Sequence, residues 1–302
     1  MALLDRIAEC TAHDLSGRVP FQVDGATVGW VREDIAERVT NRRDGAPPPT
    51  LELRDTPTDD GVQAALTFRG GLADFDSRSD AMSRVVADLQ DQQLVPRFGH
   101  ELYPVVIRYG ATPHFQLERA AMPAFGCRSF GVHMHGYVRR ADGLHMWIAR
   151  RSRTKGTFPG MLDNIVAGGQ PIGLSRRQNL VKECAEEADI PEALAMQAVR
   201  TGAISYRMAV DRGLRNDTLF LYDLELPDDF RPRNTDGEVE SFELWPIARV
   251  TERIASAPDF KFNCNLTILD FLLRHGCLEG HPEEDAVGAA LRPHRDPEPS
   301  AR

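Results

Sequence analysis

Residues 175–190 constrain this chain more than any other stretch. Ser175-Arg176-Arg177-Gln178 is a capping box: the serine accepts from the first-turn amides, the glutamine reaches back, and a helix is predicted to begin at Arg176. Along it Glu183, Glu186 and Glu187 fall at i, i+3 and i+4 and crowd one side, while Leu180, Val181, Cys184, Ala185 and Ala188 supply the buried side. Carboxylates so spaced repel by roughly a few tenths of a kcal/mol per close pair in an isolated helix. A solvated acidic face tolerates that cost; a bound dication reverses it several times over. Hard oxygen ligands with room for water suit Mg2+, with Mn2+ as the alternative, and such ions bridge to substrate phosphates. Just upstream, Gly168, Gly169 and Gly173 permit positive φ and close backbone approach, and read as a loop that holds a ligand at the helix N-terminus. The chemistry implied is metal-assisted attack by water on phosphorus, with a small-molecule diphosphate as substrate.

A chain of 302 residues fits two domains or one large one. Residues 2–13 read as a short helix, and the turn Asp24-Gly25 between Val23 and Val28 marks a hairpin. Val31, Ile35 and Val39 recur every four residues and predict a helix, followed by a loop at Pro47-Pro48-Pro49. Strands are predicted at residues 51–53, 65–68, 105–107 and 115–117, with a helix from about Arg78 carrying Met82, Val85, Val86 and Leu89. Residues 120–127, with Pro123 and Gly126, are the expected boundary between an N-terminal α+β domain (1–122) and a second domain (123–280). In the second, Val132, Met134, Gly136 and Val138 share a face, Asp142-Gly143 turns the chain, and Leu144, Met146 and Ile148 return. Further strands are expected at 218–226 and 241–245, Pro246 suits a helix start, and a last helix spans about 265–275, stopped by Gly276. Residues 281–302 read as a tail, disordered over its last ten or so residues.

Composition excludes several classes. A net charge of −9 repels nucleic acid and anionic lipid, so an anionic ligand needs local cations or metal. No run approaches the 18 or so apolar residues of a membrane span, and Asp5 stands where a signal peptide is basic, so no membrane association and a cytoplasmic location are expected. Cys10, Cys127, Cys184, Cys264 and Cys277 are odd in number and scattered, and are expected to be free thiols, Cys184 in the core.

The residues around the acidic helix resemble the Nudix box, G-x5-E-x7-R-E-U-x-E-E-x-G-U, where U is aliphatic. Gly168 matches its first glycine, residues 182–190 match its helical half, and Glu183, Glu186 and Glu187 match in full. Leu174 stands where the loop glutamate belongs, Lys182 replaces the arginine and Asp189 the last glycine. Lysine keeps the charge that orients a neighbouring glutamate but loses the fork, whereas Leu174 leaves the metal cluster one carboxylate short. Residues 158–164, 222–227, 236–240 and 260–264, with 23–25, 28–31 and 101–104 further upstream, are similar to the two-domain Nudix branch related to thiamine-pyrophosphokinase-associated proteins of fungi and plants. That resemblance implies an α/β (α+β) fold: an α/β/α Nudix sandwich with a mixed sheet, preceded by a smaller α+β domain. It also implies hydrolysis of thiamine diphosphate, especially oxidised or damaged forms, to the monophosphate.

On this reading Glu183, Glu186 and Glu187 hold metal, Lys182 orients a glutamate, and the backbone at Gly168 and Gly169 positions the diphosphate. Glu238 or Glu240, before a strand, is a further ligand or general base. Arg151 and Lys155, in the densest basic run of the chain, are expected to grip phosphate oxygens. Trp30 or Phe158 could stack on a thiazolium. His133 and His135, two apart with no third soft ligand, read as ordinary strand histidines. Two rivals remain: an isopentenyl-diphosphate isomerase, whose motif resembling N-S-V-C-G-H-P is absent, and a non-catalytic sensor of a diphosphate. Nudix proteins often pair, which leaves a homodimer open.

Overall fold

The computed structural model describes residues 2–41, 49–58, 61–70, 72–97 and 101–295. Its first half runs α1 (Leu3–Thr11), β1 (Arg18–Val23), β2 (Ala26–Arg32), α2 (Glu33–Thr40), β3 (Leu51–Thr58), β4 (Gly61–Phe68), α3 (Phe75–Asp91), β5 (Leu102–Val105) and β6 (Phe115–Glu118). Asp24 and Gly25, at φ 51° and 78°, form the tight turn that joins β1 to β2. Four strands make one sheet in the order β2-β1-β4-β3, with β1 and β4 parallel. Phe21 lies at its centre, within 6.0 Å of the rings of Phe68, Phe115 and Phe125, and α3 adds Met82, Val86 and Leu89. The four-residue period of Val31, Ile35 and Val39 crosses a junction: Val31 ends in β2, and the helix begins at Glu33. The expected strand at 105–107 stops at Val105. The Pro47-Pro48-Pro49 loop falls largely on 42–48, outside the described residues.

Residues 120–127 are not an exposed linker. A 3-10 turn (Arg119–Ala121) leads into α4 (Met122–Phe125), and Ala121, Met122, Phe125 and Cys127 are buried in the core of the first sheet. Gly126 ends α4 at φ 58°, and a Cβ there would meet the Trp30 carbonyl at 2.2 Å. The chain needs its missing side chain at that closest approach.

The second half contains β7 (Arg128–Arg140), β8 (Gly143–Arg151), β9 (Leu162–Asn164), β10 (Val166–Gly169), α5 (Arg176–Ala188), α6 (Glu192–Ala195), β11 (Val199–Val210), β12 (Gly213–Glu225), β13 (Val239–Pro246), α7 (Ile247–Ser256), α8 (Phe262–Arg274) and α9 (Glu284–Leu291). Its sheet runs β11-β12-β7-β8-β13, with β10 on β7 and β9 on β8; β12 and β7 are parallel, so the sheet is mixed. Alternation along β7 sends Val132, Met134 and Val138 into one core with Leu180, Cys184 and Ala188 of α5. Tyr137 joins the opposite core, where α1, α7, α8 and α9 pack. The result is an α/β/α sandwich.

Two expected boundaries are corrected by this packing. Helix α1 leaves the sheet that follows it in sequence: Leu3, Ile7 and Cys10 are buried in the second core, and the Leu3 amide donates to Glu283 at 3.0 Å. The expected tail begins with α9, whose Val287 and Leu291 are buried, and a 3-10 turn (Arg292–His294). Residues 296–302 lie outside the described ones. All five cysteines are free, and no helix among the described residues is long and apolar enough to cross a membrane.

Candidate active site

Helix α5 is pinned at both ends. Gln178 N donates to Ser175 Oγ at 3.2 Å and Ser175 N to Gln178 Oε1 at 3.0 Å, completing the capping box. At the other end Asp189 adopts φ 53°, and the segment after β12 satisfies the last carbonyls: Arg233 N donates to Ala188 O at 3.1 Å and Thr235 Oγ1 to Glu186 O at 2.6 Å.

The helix does not divide into an acidic outside and an apolar inside. Glu183 and Glu187 are only 7% and 6% exposed, whereas Ala185, expected inside, faces out. Both carboxylates are drawn in by β10. Ala167 N donates to Glu187 Oε2 at 2.7 Å, and a Cβ on Gly168 would lie 2.1 Å from the Glu183 carboxyl carbon. The first two glycines of the presumed ligand loop are therefore a strand, and the space above Gly168 is filled by Glu183. Gly169 O accepts from Asn179 Nδ2 at 2.7 Å, which ties strand to helix.

Burial pushes the Glu183 carboxyl up, against the pull of Lys182; burial and the neighbouring Glu183 push Glu187 up to about 7. Lys182 Nζ donates to Glu183 Oε1 at 3.2 Å and Glu186 Oε2 at 2.6 Å, so one ammonium faces two carboxylates. Three carboxylates with hard oxygen donors, two of them enclosed and one ammonium among them, are a set that fits a hard dication such as Mg2+ or Mn2+. Beside Glu187 is a cavity of about 10 Å³, enough for one water, lined also by Lys155, Asp163 and Glu238. Glu238 lies on this cavity, paired with Lys155. Glu240 lies elsewhere: it pairs with Arg153 at 3.4 Å and borders a separate groove with Trp147 and Phe242. Asp236, not singled out in the sequence, holds the Glu238 amide at 2.8 Å and is close enough to Lys155 and Glu186 to feel both charges.

Arg151 is not available for phosphate. Its Nη1 donates to Asp163 Oδ2 at 2.8 Å, Nη2 to Thr157 O at 2.9 Å and Nε to Phe158 O at 3.1 Å, and the side chain is enclosed. Asp163 also receives Lys261 Nζ at 3.2 Å and the Cys264 thiol at 2.8 Å; against its burial, Lys261 and Arg151 hold it well below the usual carboxylate range. His133 Nδ1 donates to Asn164 Oδ1 at 2.8 Å, and burial lowers the imidazole to about 3. His133, Asp163 and Cys264 sit close enough to share an ion, yet two cations already balance the single carboxylate. His135 pairs with Asp223 at 3.1 Å. Phe158 packs edge-on against Phe262 and under the Arg215 guanidinium, so its ring is engaged; Trp30 lies in β2, with its backbone against Gly126. Leu174 is half-buried, its carbonyl taken by Gln170 Nε2 at 2.7 Å.

Sequence reasoning missed the contribution of β5 and β6. A Cβ on Gly169 would lie 1.5 Å from the Tyr103 hydroxyl and 3.6 Å from the Arg119 guanidinium carbon, and Ile172 N donates to Leu102 O at 2.9 Å. The similarity at 101–104 marked the segment but not what its tyrosine meets.

A domain of unknown function, DUF4743, matches residues 2–129. Nudix hydrolase 20, chloroplastic, of Arabidopsis thaliana is 41% identical over 281 residues, covering 90% of this chain and 72% of that protein. Nudix hydrolase 24, chloroplastic, of the same plant is 38% identical over 278 residues, 91% of this chain and 73% of that one. An uncharacterized protein of Saccharomyces cerevisiae is 30% identical over 239 residues, 74% and 69% of the two chains. With this extent of shared sequence, and with the acidic helix and glycine strand as described, the chain belongs to the Nudix hydrolases.

Proposed function

We propose that the chain hydrolyses a small organic diphosphate with a divalent metal held by Glu183, Glu186 and Glu187. The observation that carries this reading is the enclosure of Glu183 and Glu187 side by side, with one lysine among three carboxylates. A bound dication supplies positive charge to phosphate oxygens and makes a water easier to deprotonate. Lys182 orients Glu183 and Glu186 from the rim. Glu238, on the water-sized cavity, is the carboxylate suited to accept a proton from the attacking water, and its Oε2 is paired with Lys155 Nζ. Lys155, part-exposed at the same cavity, is suited to a phosphate oxygen once Glu238 releases it. Glu240 has no part in this scheme.

We further propose thiamine diphosphate, or its oxidised form, as the substrate, supported by the sequence similarity at 158–164 and 260–264. The test is incubation with Mg2+ or Mn2+ and thiamine diphosphate, its oxidised form, ADP-ribose, NADH, nucleoside triphosphates and isopentenyl diphosphate, with Glu187→Gln as control. Thiamine monophosphate release, abolished by the substitution and by chelator, is the expected result. Metal-dependent cleavage of another compound discards the thiamine assignment alone. Ligand-induced thermal stabilisation with no turnover of any compound replaces the hydrolase by a sensor.

A further inference from the structure

The β5-β6 hairpin, Leu102–Val105 paired with Phe115–Glu118, belongs to the first half of the chain, yet it abuts the glycine strand of the second. Tyr103 is buried, and its hydroxyl fills the space above Gly169 that any other residue would claim for its own side chain. Arg119 follows β6 directly. Its backbone amide donates to Glu101 O at 2.9 Å, and its guanidinium lies 5.9 Å from the centre of the Tyr103 ring. That guanidinium therefore reaches the residue next to Gly168, whose own neighbour is the Glu183 carboxylate.

The partner that Arg119 has is weakly held. Nη1 donates to Glu101 Oε2 at 2.7 Å, with the arginine side chain 47% and the glutamate 34% exposed. An exposed pair of this kind is worth roughly 0–1 kcal/mol, so an anion with a better-matched pair of oxygens displaces Glu101 readily. Arg151, the arginine that the sequence put forward for phosphate, is enclosed with all three nitrogens donating. Arg119 presents the opposite case: among the described residues its guanidinium donates to Glu101 alone, and it lies at the solvent edge of the acidic cluster beside Tyr103.

We propose that Arg119, supplied by the first half of the chain, is a phosphate-binding residue of the active site, and that Tyr103 is the positioning residue that wedges it beside Gly169. The substrate class is the diphosphate of the hydrolase reading, on which this inference rests. Arg119 exchanges Glu101 for two oxygens of one phosphate, a bidentate contact that lysine cannot reproduce. Lys155 approaches the acidic cluster through Glu238, and the Arg119 charge is felt at Lys155. The two cations thus share one field around the metal-binding glutamates.

The experiment uses the full chain with Mg2+ and methylenediphosphonate, a diphosphate mimic that cannot be hydrolysed, and measures binding by calorimetry for wild type, Arg119→Ala, Arg119→Lys and Gly169→Ala. Arg119→Ala is expected to weaken binding at least tenfold with a melting temperature within about 2 °C of wild type, since exposed substitutions rarely alter stability much. Arg119→Lys recovers part of that loss, because charge returns without the fork. Gly169→Ala weakens binding by displacing Tyr103. In turnover of the compound that wild type cleaves, Arg119→Ala raises KM more than it lowers kcat. Equal affinity of Arg119→Ala and wild type, in a wild type that binds and cleaves diphosphates, overturns this inference and leaves the hydrolase reading standing. A folded wild type that neither binds methylenediphosphonate nor cleaves any diphosphate overturns both.

Discussion

Two buried charge clusters meet at the water-sized cavity beside Glu187, and they are built on opposite principles. Around Asp163, one carboxylate faces Arg151 and Lys261 and accepts from the Cys264 thiol, and the carbonyls of Thr157 and Phe158 complete the arginine's bonds. Along α5, Lys182 faces two of three carboxylates, Glu183 and Glu186, and the enclosed Glu187 accepts from the Ala167 amide. Removing charge from water is expensive unless a partner answers it. The Asp163 cluster carries its answer within the chain, and joins the 151–163 loop to the start of α8. The α5 cluster leaves its answer to be supplied from outside. A difference in compensation, rather than in burial, separates the Asp163 network from the cluster proposed to hold metal.

The comparison breaks first on activity. Glu183→Gln removes one of the carboxylates proposed to hold metal and is expected to lower kcat by roughly a thousandfold, several kcal/mol of lost transition-state stabilisation. Because the substitution also relieves repulsion with Glu187, the metal-free protein should melt no lower than wild type. A variant that loses activity only by unfolding would put Glu183 with the structural cluster.

Asp163→Asn should do the reverse. It leaves two enclosed cations facing a neutral amide, and breaking a buried pair by deleting one partner destabilises by about 3–5 kcal/mol. For a chain of this size the melting temperature should fall by roughly 6–20 °C. The measurement is thermal unfolding at pH 7 with saturating Mg2+, where loss of metal affinity cannot be mistaken for loss of packing. A drop under about 2 °C would show that Arg151 and Lys261 find water instead.

The clusters also respond to pH with opposite sign. Asp163 is held below its unfolded pKa of 3.8, so its stabilisation is present above that pH and is lost only as acid protonates it. Glu187 is raised from 4.5 to about 7, so the folded state favours its neutral form. That stabilisation is complete below pH 4.5 and disappears as pH climbs through 7. In chelator, wild type should therefore lose a few degrees of melting temperature between pH 5 and pH 8, and Glu187→Gln should not. Saturating Mg2+ should abolish the difference at pH 8. A wild-type profile flat over that range in chelator would mean that water already reaches Glu187.

How much of this was readable beforehand follows the range of the interactions. The α5 start and its cap depend on residues within one or two turns, and the sequence displays them directly: Ser175 and Gln178 cap the helix as read, whereas of the three glutamates on it Glu183 and Glu187 turn out enclosed. Lys182 bridging Glu183 and Glu186 is of the same local kind. What depends on contacts far along the chain was not readable. Nothing near Arg151 announces that Asp163 and two carbonyls will enclose it, and nothing in residues 3–11 says that α1 will dock on α8. Glycines gave an ambiguous signal, since Gly168 and Gly169 permit a ligand loop or a crowded strand equally well. Only Glu183 from further along the chain and Tyr103 from far upstream decide for the strand.

The smallest effect expected concerns Asp189, where the family pattern has glycine. It adopts φ 53°, a left-handed conformation that a non-glycine residue enters at a penalty of about 1 kcal/mol or so, less for Asp than for most. Its carboxylate is paired with Arg233 at 2.6 Å, both side chains substantially exposed, and such a pair returns a fraction of a kcal/mol. Glycine would relax the backbone but free the unfolded chain, which opposes the gain. Asp189→Gly should thus change stability by less than about 1 kcal/mol, seen as a shift of at most about 3 °C in melting temperature. The Arg233 pairing gives the substitution a second reading. Arg233 N also holds the last turn of α5 through Ala188 O, at the same end of the helix as Glu186 and Glu187. If the pair steadies that turn, Asp189→Gly should weaken Mg2+ affinity more than it changes melting temperature, and high salt should erase the difference by screening the exposed pair. Unchanged Mg2+ affinity at low salt would confine Asp189 to the role of a helix terminator, leaving the carboxylates of α5 set by their own cap and by β10.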